Sequence, residues 1–446
     1  MRRKLSLVLW MLLLASARDA APELQHTKNS HPAISKSEER TASQPNTVDC
    51  ADFRPYATDP NHVWNRLYRR LFERRDAKGK AWGCDEVDPL LLRRSKHILE
   101  GPAYAETIRL LDEFINAHAE SLIRDPLSRA IFQRDMWAVF NWLALPTDDH
   151  PREREELERR LAAIIKVVAL TPSEIEHLPG NYAQLRGSAT ADGLALPDTA
   201  GDWMMIGRDD GTPAAEIHAD YFPRSIFFVY LKPPSGPLNA SKYLEFMRAY
   251  SKQRPPGDNC TFHACSPPQF PEGTELALVR RALLIDAAGR PVASPITESI
   301  QLRRYVKIPA DTRVDFDRGT QQVAQFQLTR RGLLQGTIDL RRVGEEETGL
   351  SVFSTQGQDG FEDGWDGSQA GVILRGCHQC HQGTGVISFT SYSRVQFEND
   401  HLFVLVHNSS EIEETKVAIK FLRKGEAWKQ LTRLLHAGGY RFFPLW

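Results

Sequence analysis

The chain has 446 residues, of which 41% are hydrophobic and 25% charged, and its formal net charge at pH 7 is −1. This length suits about two domains. Acidic and basic residues are interspersed, and nothing in this balance suggests a nucleic-acid-binding patch. We therefore expect a globular protein with no nucleic-acid partner.

The N-terminus has the pattern of a secretory signal peptide. Basic residues at positions 2–4 precede an apolar run at 5–14, and Ala15-Ser16-Ala17 supplies the small residues of a cleavage site. The apolar run is too short to span a bilayer comfortably, so an uncleaved membrane anchor is the less favoured alternative. We expect a signal peptide over residues 1–21 and a polar, disordered lead over residues 22–49. The mature chain is then exported to the bacterial periplasm or cell surface, without a transmembrane segment.

Residues 50–180 are predicted to form an all-α domain of about five helices. Asp88-Pro89 and Asp125-Pro126 each place an N-cap carboxylate before a proline at the first helical position. Thr171-Pro172-Ser173-Glu174 has the pattern of a capping box. Three helix starts are therefore predicted from local capping chemistry.

Residues 181–446 are predicted to form an α+β domain with a mainly antiparallel sheet. Two strands flank a turn at Ala288-Gly289, and apolar residues of one parity mark the inner face of the second: Ile296, Ile300, Leu302, Val306 and Ile308. The other predicted elements are a strand at 225–231, a hairpin of 322–329 and 333–340 about Arg331-Gly332, a helix at 241–251, a strand at 401–407 and a helical region at 410–435 interrupted at Gly425. The predicted fold class is therefore α+β, with the helical domain first.

Cys377-His378-Gln379-Cys380-His381 has the spacing of a c-type haem attachment site. Two thiols three residues apart can each bond to a vinyl group of one porphyrin, and the next residue can bind the iron. The motif resembles that of c-type haem proteins, and the resemblance covers this motif only. It implies one haem c, with Cys377 and Cys380 as the covalent attachments and His381 as the proximal iron ligand.

The sequence around the motif differs from that of the small cytochromes c. Residues 357–371 are rich in Gly and Asp, residues 386–392 favour a strand, and no Met follows position 247. We therefore do not expect the small all-α cytochrome c fold. Residues 376–394 also look like exported bacterial proteins of unassigned function, which implies a shared architecture and no activity.

Other interpretations of the cysteines remain open at this point. Cys377 and Cys380 could form a tight disulfide or a reduced structural pair, a zinc site with two nearby histidines, or a thioredoxin-type redox pair. The remaining cysteines suit two disulfides in an oxidising compartment: Cys50, Cys84, Cys260 and Cys265.

The sixth iron ligand decides between electron transfer and substrate chemistry, since only an open iron binds a small molecule. The favoured candidates are His407, on a predicted strand, and Met205, in an apolar run. Further candidates are His218, His401, Met204 and Met247. For each of them, a packed or solvent-facing side chain is the simpler interpretation.

Three functional hypotheses follow. The first is an exported monohaem protein that transfers electrons to or from a redox partner in the cell envelope. The second is a peroxidase-like or other small-molecule enzyme at an open haem iron. The third is a haem-free envelope binding or scaffold protein with a structural Cys pair. The sequence does not decide whether the protein is an enzyme.

Overall fold

The computed structural model of the chain places helices in the first half and a large antiparallel sheet in the second. It describes residues 53–75, 78–79, 81–85, 87, 98–145, 149–182, 193–194, 196–197, 202–234, 237–252, 269–308, 320–336, 340–349, 371–374, 381, 385–386, 388 and 406–437. The predicted signal peptide, the predicted lead and the helix start at Asp88-Pro89 lie outside these residues.

Two helices of the first half begin at the caps that the sequence predicts, Asp125 and Thr171. Asp125 Oδ2 accepts a hydrogen bond from Ser128 N at 2.7 Å, and Thr171 and Glu174 form the reciprocal capping box. The described elements are α1 (Val63–Phe72), β1 (Arg74–Arg75), β2 (Ala81–Trp82), α2 (Gly101–Asn116), a 3₁₀ turn (Ala119–Ser121), α3 (Pro126–Leu143), α4 (Pro151–Val167) and α5 (Pro172–Glu176). Proline occupies the first position of α3, α4 and α5, where its missing N–H costs no hydrogen bond.

Removing the cap of α3 tests this local chemistry. We expect Asp125→Ala to lower the free energy of unfolding by about 1 kcal/mol, because Ser128 N loses its acceptor. Urea unfolding monitored by circular dichroism measures the change. The matched control is Arg124→Ala at the neighbouring exposed position, which should leave stability unchanged; an equal loss in both variants would rule out a capping effect.

The second half is built around one sheet. Its described elements are β3 (Met204–Arg208), α6 (Glu216–Tyr221), β4 (Ser225–Lys232), α7 (Pro237–Lys252), β5 (Glu275–Ile285), β6 (Pro291–Lys307), β7 (Thr320–Leu328), α8 (Arg330–Leu334), β8 (Leu340–Arg342), β9 (Thr348–Gly349), β10 (Gly371–Val372), β11 (Val406–Asn408), α9 (Glu411–Lys424) and α10 (Glu426–His436). Within the described residues the sheet has seven strands in the order β11-β3-β4-β5-β6-β7-β8, each antiparallel to its neighbours. The fold is thus α+β, as predicted, and is not the small all-α fold.

The two faces of this sheet have different partners. The helical face, which carries Phe228, Val279 and Ile300, shares one hydrophobic core with residues of α1–α5, α9 and α10. The outer face, which carries Leu276, Arg303 and Gln321, is covered by residues of α6 and α7 and by Val386. Residues Thr47–Trp446 cluster as one compact unit.

The parity predicted for β6 holds over only part of the strand. Ile296, Ile300 and Leu302 are at most 1% exposed, but Val306 is 46% exposed. The register shifts between Tyr305 and Lys307, which interrupts the alternation of faces. Ile308 accordingly packs with the outer-face cluster rather than with Ile300.

The predicted tight turn at Arg331-Gly332, with a strand directly after it, is wrong. The chain forms α8 there, capped by Thr329, whose Oγ1 accepts a hydrogen bond from Gly332 N at 3.1 Å. The described return strand is β8, Leu340–Arg342. The fully buried Arg330 at the start of α8 forms an ion pair with Asp135 of α3, 2.8 Å away, so a long-range contact overrides the local turn signal.

None of the described helices is both long enough and apolar enough to cross a membrane.

Candidate functional site

The described residues of the haem motif region lie against the outer face of the sheet, at β6 and β7. The carbonyl oxygen of His381 accepts hydrogen bonds from Ser388 Oγ at 2.8 Å and from Gln321 Nε2 at 3.3 Å. Arg303 Nη1 lies 3.5 Å from the same oxygen and donates to Gln321 Oε1 at 3.0 Å. Two sheet residues therefore fix the backbone of the motif histidine.

The imidazole of His381 is oriented by its own chain. Nδ1 lies 2.9 Å from the carbonyl oxygen of Ser388. A carbonyl can only accept, so Nδ1 carries a proton, and in the neutral ring Nε2 holds the lone pair. Histidines that bind metals commonly donate their other ring N–H to such a carbonyl. The ring is thus prepared to act as a ligand through Nε2.

A glycine allows the chain to pass close to the sheet just after the motif. Gly385 has φ +58°, and a Cβ at this position would collide with Gln269 Oε1 and contact Ile308. Gln269 Oε1 also accepts a hydrogen bond from Val386 N at 3.1 Å. Val386 is buried in the outer-face core beside Tyr305. These contacts anchor the segment that carries Ser388, the partner of His381.

A second histidine faces His381 across the site. His218 lies on α6, and its ring is 6.1 Å, centre to centre, from the ring of His381, with the two planes within 8° of parallel. The ring centre of Phe227 on β4 is 5.5 Å from that of His218. Parts of the chain that are far apart in sequence thus place two nearly parallel imidazoles together.

The site is electrostatically positive. Burial, and then the positive charges of Arg280 and Arg303, lower the pKa of His218 to about 4. Burial raises the pKa of Tyr305 to about 12, although Arg303 and a hydrogen bond with Ser388 oppose this shift. His218 is therefore neutral at pH 7, and Tyr305 keeps its proton.

Arg280 connects the site to a buried ion-pair network. Its Nε lies 2.9 Å from Glu298 Oε2 and 2.9 Å from Ser225 Oγ. Glu298 also pairs with Arg134 of α3, whose Nε lies 3.0 Å from Oε1. On the outer face, the guanidinium of Arg280 lies 3.8 Å from the ring centre of Phe222. The network sets the position of a cation near His218.

The two cysteines predicted to attach the haem, Cys377 and Cys380, lie outside the described residues. Of the predicted sixth ligands, Met205 lies on the helical face, where it is 6% exposed within the main core. The sheet therefore separates it from His381. Met204 lies in the outer-face cluster, the side chain of Met247 is not described, and His401 lies outside the described residues.

His407 lies on β11, at the edge of the sheet. Its Nδ1 is 2.9 Å from Asp209 Oδ1. β11 is four strands from β6, which corresponds to roughly 19 Å. His407 is therefore not brought to the haem motif, although its strand prediction agrees with the described part of β11.

From the sequence, His218 is a candidate ligand but not a favoured one. The local pattern around it, Glu216-Ile217-His218-Ala219-Asp220, carries no ligand motif. Its proximity to His381 depends on the pairing of β4 with β5 and of β5 with β6, which no local signal reveals. The sequence does contain one indication of a polar site. Arg280 has the same strand parity as Leu276 and Leu278, and a charged residue among apolar ones on a covered face needs a polar partner.

No group of three or more His, Cys, Asp or Glu side chains that could hold a metal ion occurs among the described residues. The described surroundings do suit a haem. His381 has a lone pair on Nε2, apolar side chains of Phe222, Phe227 and Val386 lie in the outer-face clusters, and the nearby cations match the two carboxylates of a haem.

Comparison of this chain with protein-family models, with curated proteins and with solved structures finds no match.

Proposed function

We propose that this chain is an exported protein that binds one haem c covalently and transfers one electron at a time. Cys377 and Cys380 provide the thioether attachments, and His381 provides the proximal iron ligand. The observation that carries the proposal is the Cys-x-x-Cys-His spacing, ending in a histidine whose Nδ1 donates to the carbonyl of Ser388. The haem supplies a reversible one-electron centre.

The proposed role of the chain's own residues is to hold and tune that centre. Ser388 and Gln321 fix the backbone of His381, and the Nδ1–H bond directs Nε2 as the ligand atom. Arg280 and Arg303 place positive charge beside the site, which favours binding of an anionic group. The proposed partner is a redox protein of the cell envelope, and the balanced net charge gives no support for a nucleic-acid partner.

Export to the periplasm or cell surface is part of the proposal. The N-terminal pattern supports it, as does Cys84, which is disulfide-bonded, with its partner outside the described residues. Disulfides persist mainly in oxidising compartments. Cys84 therefore has a structural role, and the proposal assigns Cys377 and Cys380 to the haem.

Covalent haem attachment is the direct test. The full chain is matured in a bacterial host that carries the cytochrome c assembly machinery, denatured, and assayed for haem by peroxidase stain and by mass spectrometry. We expect one haem per chain that survives denaturation, because thioether bonds do not break on unfolding. Cys377→Ala with Cys380→Ala should remove the stain completely.

The matched control is Cys84→Ala, which removes a cysteine outside the motif and should leave the stain intact even if the protein is less stable. Wild-type protein that carries no covalent haem under these conditions would overturn the proposal. In that case the cysteine pair is better explained as structural.

A further inference from the structure

The feature that carries a further inference is the pair of imidazoles on the outer face. The rings of His218 and His381 are 6.1 Å apart between centres and nearly parallel. They belong to different elements, α6 and the segment after β10, so no local geometry of either element imposes this arrangement.

The spacing fits two ligands of one metal ion. A metal bound on both sides by imidazole nitrogens about 2 Å away holds the two ring centres roughly 6 Å apart, once about 1 Å from each nitrogen to its ring centre is added. The observed separation has this value. Haem iron accepts two axial ligands, one on each side of the porphyrin. A histidine at this distance from His381 can therefore bind the iron from the side opposite His381.

Each ring is held by its surroundings. His381 is oriented through Ser388. The helix α6, which carries His218, packs on Phe227 of β4 through Ala219, together with Phe222 directly after the helix. A ligand fixed before the metal binds loses little conformational freedom on binding. The two imidazoles therefore form a preorganised pair rather than two mobile surface groups.

The other candidates lack this placement. Met205 faces the main core on the opposite side of the sheet, and His407 is engaged with Asp209 at the sheet edge. Among the described side chains considered as ligands, His218 is the one whose ring lies beside that of His381.

We infer that His218 is the second axial ligand of the haem, on the side of the porphyrin opposite His381. This inference rests on the proposed covalent haem. Two histidine ligands fill the coordination positions of the iron, which favours electron transfer over the binding of peroxide or another small molecule. The inference thereby favours an electron-transfer protein over a peroxidase-like enzyme with an open iron.

Ligand replacement in the haem-bearing protein tests the inference. The wild type should give a low-spin ferric spectrum and bind no carbon monoxide in the ferrous state. His218→Ala should become high-spin and bind one carbon monoxide per haem. His218→Met should remain six-coordinate with a higher reduction potential. The control variants His407→Ala and Met205→Leu should retain the wild-type spectrum.

Near-infrared magnetic circular dichroism of the wild type adds a readout that needs no variant, since it distinguishes two histidine ligands from a histidine–methionine pair. A histidine–methionine signal, a high-spin wild type, or an unchanged low-spin spectrum in His218→Ala would each overturn the inference while covalent haem remained on the denatured chain. The rings would then be a simple stacked pair. Absence of covalent haem would overturn the proposed function and this inference together.

Discussion

Replacing Asp135 with asparagine is expected to lower the free energy of unfolding by about 3–5 kcal/mol. Asp135 and Arg330 are both fully buried, and their charged atoms lie 2.8 Å apart. Tyr56 donates its hydroxyl to Asp135 Oδ2 at 2.5 Å, and burial, followed by the charge of Asp135, raises the pKa of Tyr56 well above its usual value. The variant leaves the Arg330 guanidinium charged in a dry site, without its carboxylate. Urea unfolding of purified protein measures the loss.

Two controls separate the buried charge from a general effect of the substitution. Asp112→Asn breaks an ion pair with the partly exposed Arg160 and should cost less than about 1 kcal/mol. Asp135→Leu combined with Arg330→Met removes both charges and should recover much of the loss. If Asp135→Asn is no more harmful than Asp112→Asn, the buried pair does not contribute as argued.

Glu298→Gln is the second large effect that we expect, again a loss of about 3–5 kcal/mol in the free energy of unfolding. One carboxylate serves two guanidiniums, Arg134 from α3 and Arg280 from β5, and also accepts from Ser225 Oγ at 2.7 Å. Glu298 is 3% exposed. A neutral amide leaves two buried positive charges facing each other, so the sheet and α3 lose their polar link.

The surface counterpart is Glu347→Gln, which weakens an ion pair with the exposed Arg341 and should cost at most about 1 kcal/mol. Ser225→Ala should cost less, about 2 kcal/mol, because it removes the hydrogen bonds of Ser225 Oγ with Glu298, Arg134 and Arg280 but no charge. Both comparisons use the same unfolding assay. A Glu298→Gln loss as small as that of Ser225→Ala would contradict the proposed electrostatic origin.

Local signals predict the parts of this fold that depend on neighbours in sequence. The caps at Asp125, Thr171 and Ser410 agree with the structure, because each side-chain oxygen bonds to a backbone N–H three residues away. The interruption of the C-terminal helices at Gly425 also agrees. These interactions are complete within one helical turn, so the sequence contains all that is needed to predict them.

Features that depend on distant residues could not be predicted in this way. The turn expected at Arg331-Gly332 is a helix because Arg330 pairs with Asp135, far away in the chain. Val306 is exposed because the register of β6 against β7 shifts beside it. In both cases an interaction with a distant part of the chain outweighs the local sequence pattern.

The candidate site is also predictable from the sequence only where its features are local. The motif and its histidine are visible in the sequence because their chemistry requires a fixed spacing. Closeness in sequence to the motif favoured His407, but four strand spacings separate its strand from β6. His218 reaches His381 only through the order of the strands, which the sequence pattern does not specify.

The shared core on the helical face limits how small a fragment that keeps the candidate site could be. Phe228, Ile300 and Phe326 lie on the strands that carry the candidate site, yet their side chains pack in the same core as α1–α5. A chain lacking those helices would expose this apolar layer to water and lose the surface on which β4–β7 are assembled. The helices of the N-terminal half are therefore needed to fold the sheet that carries the candidate site.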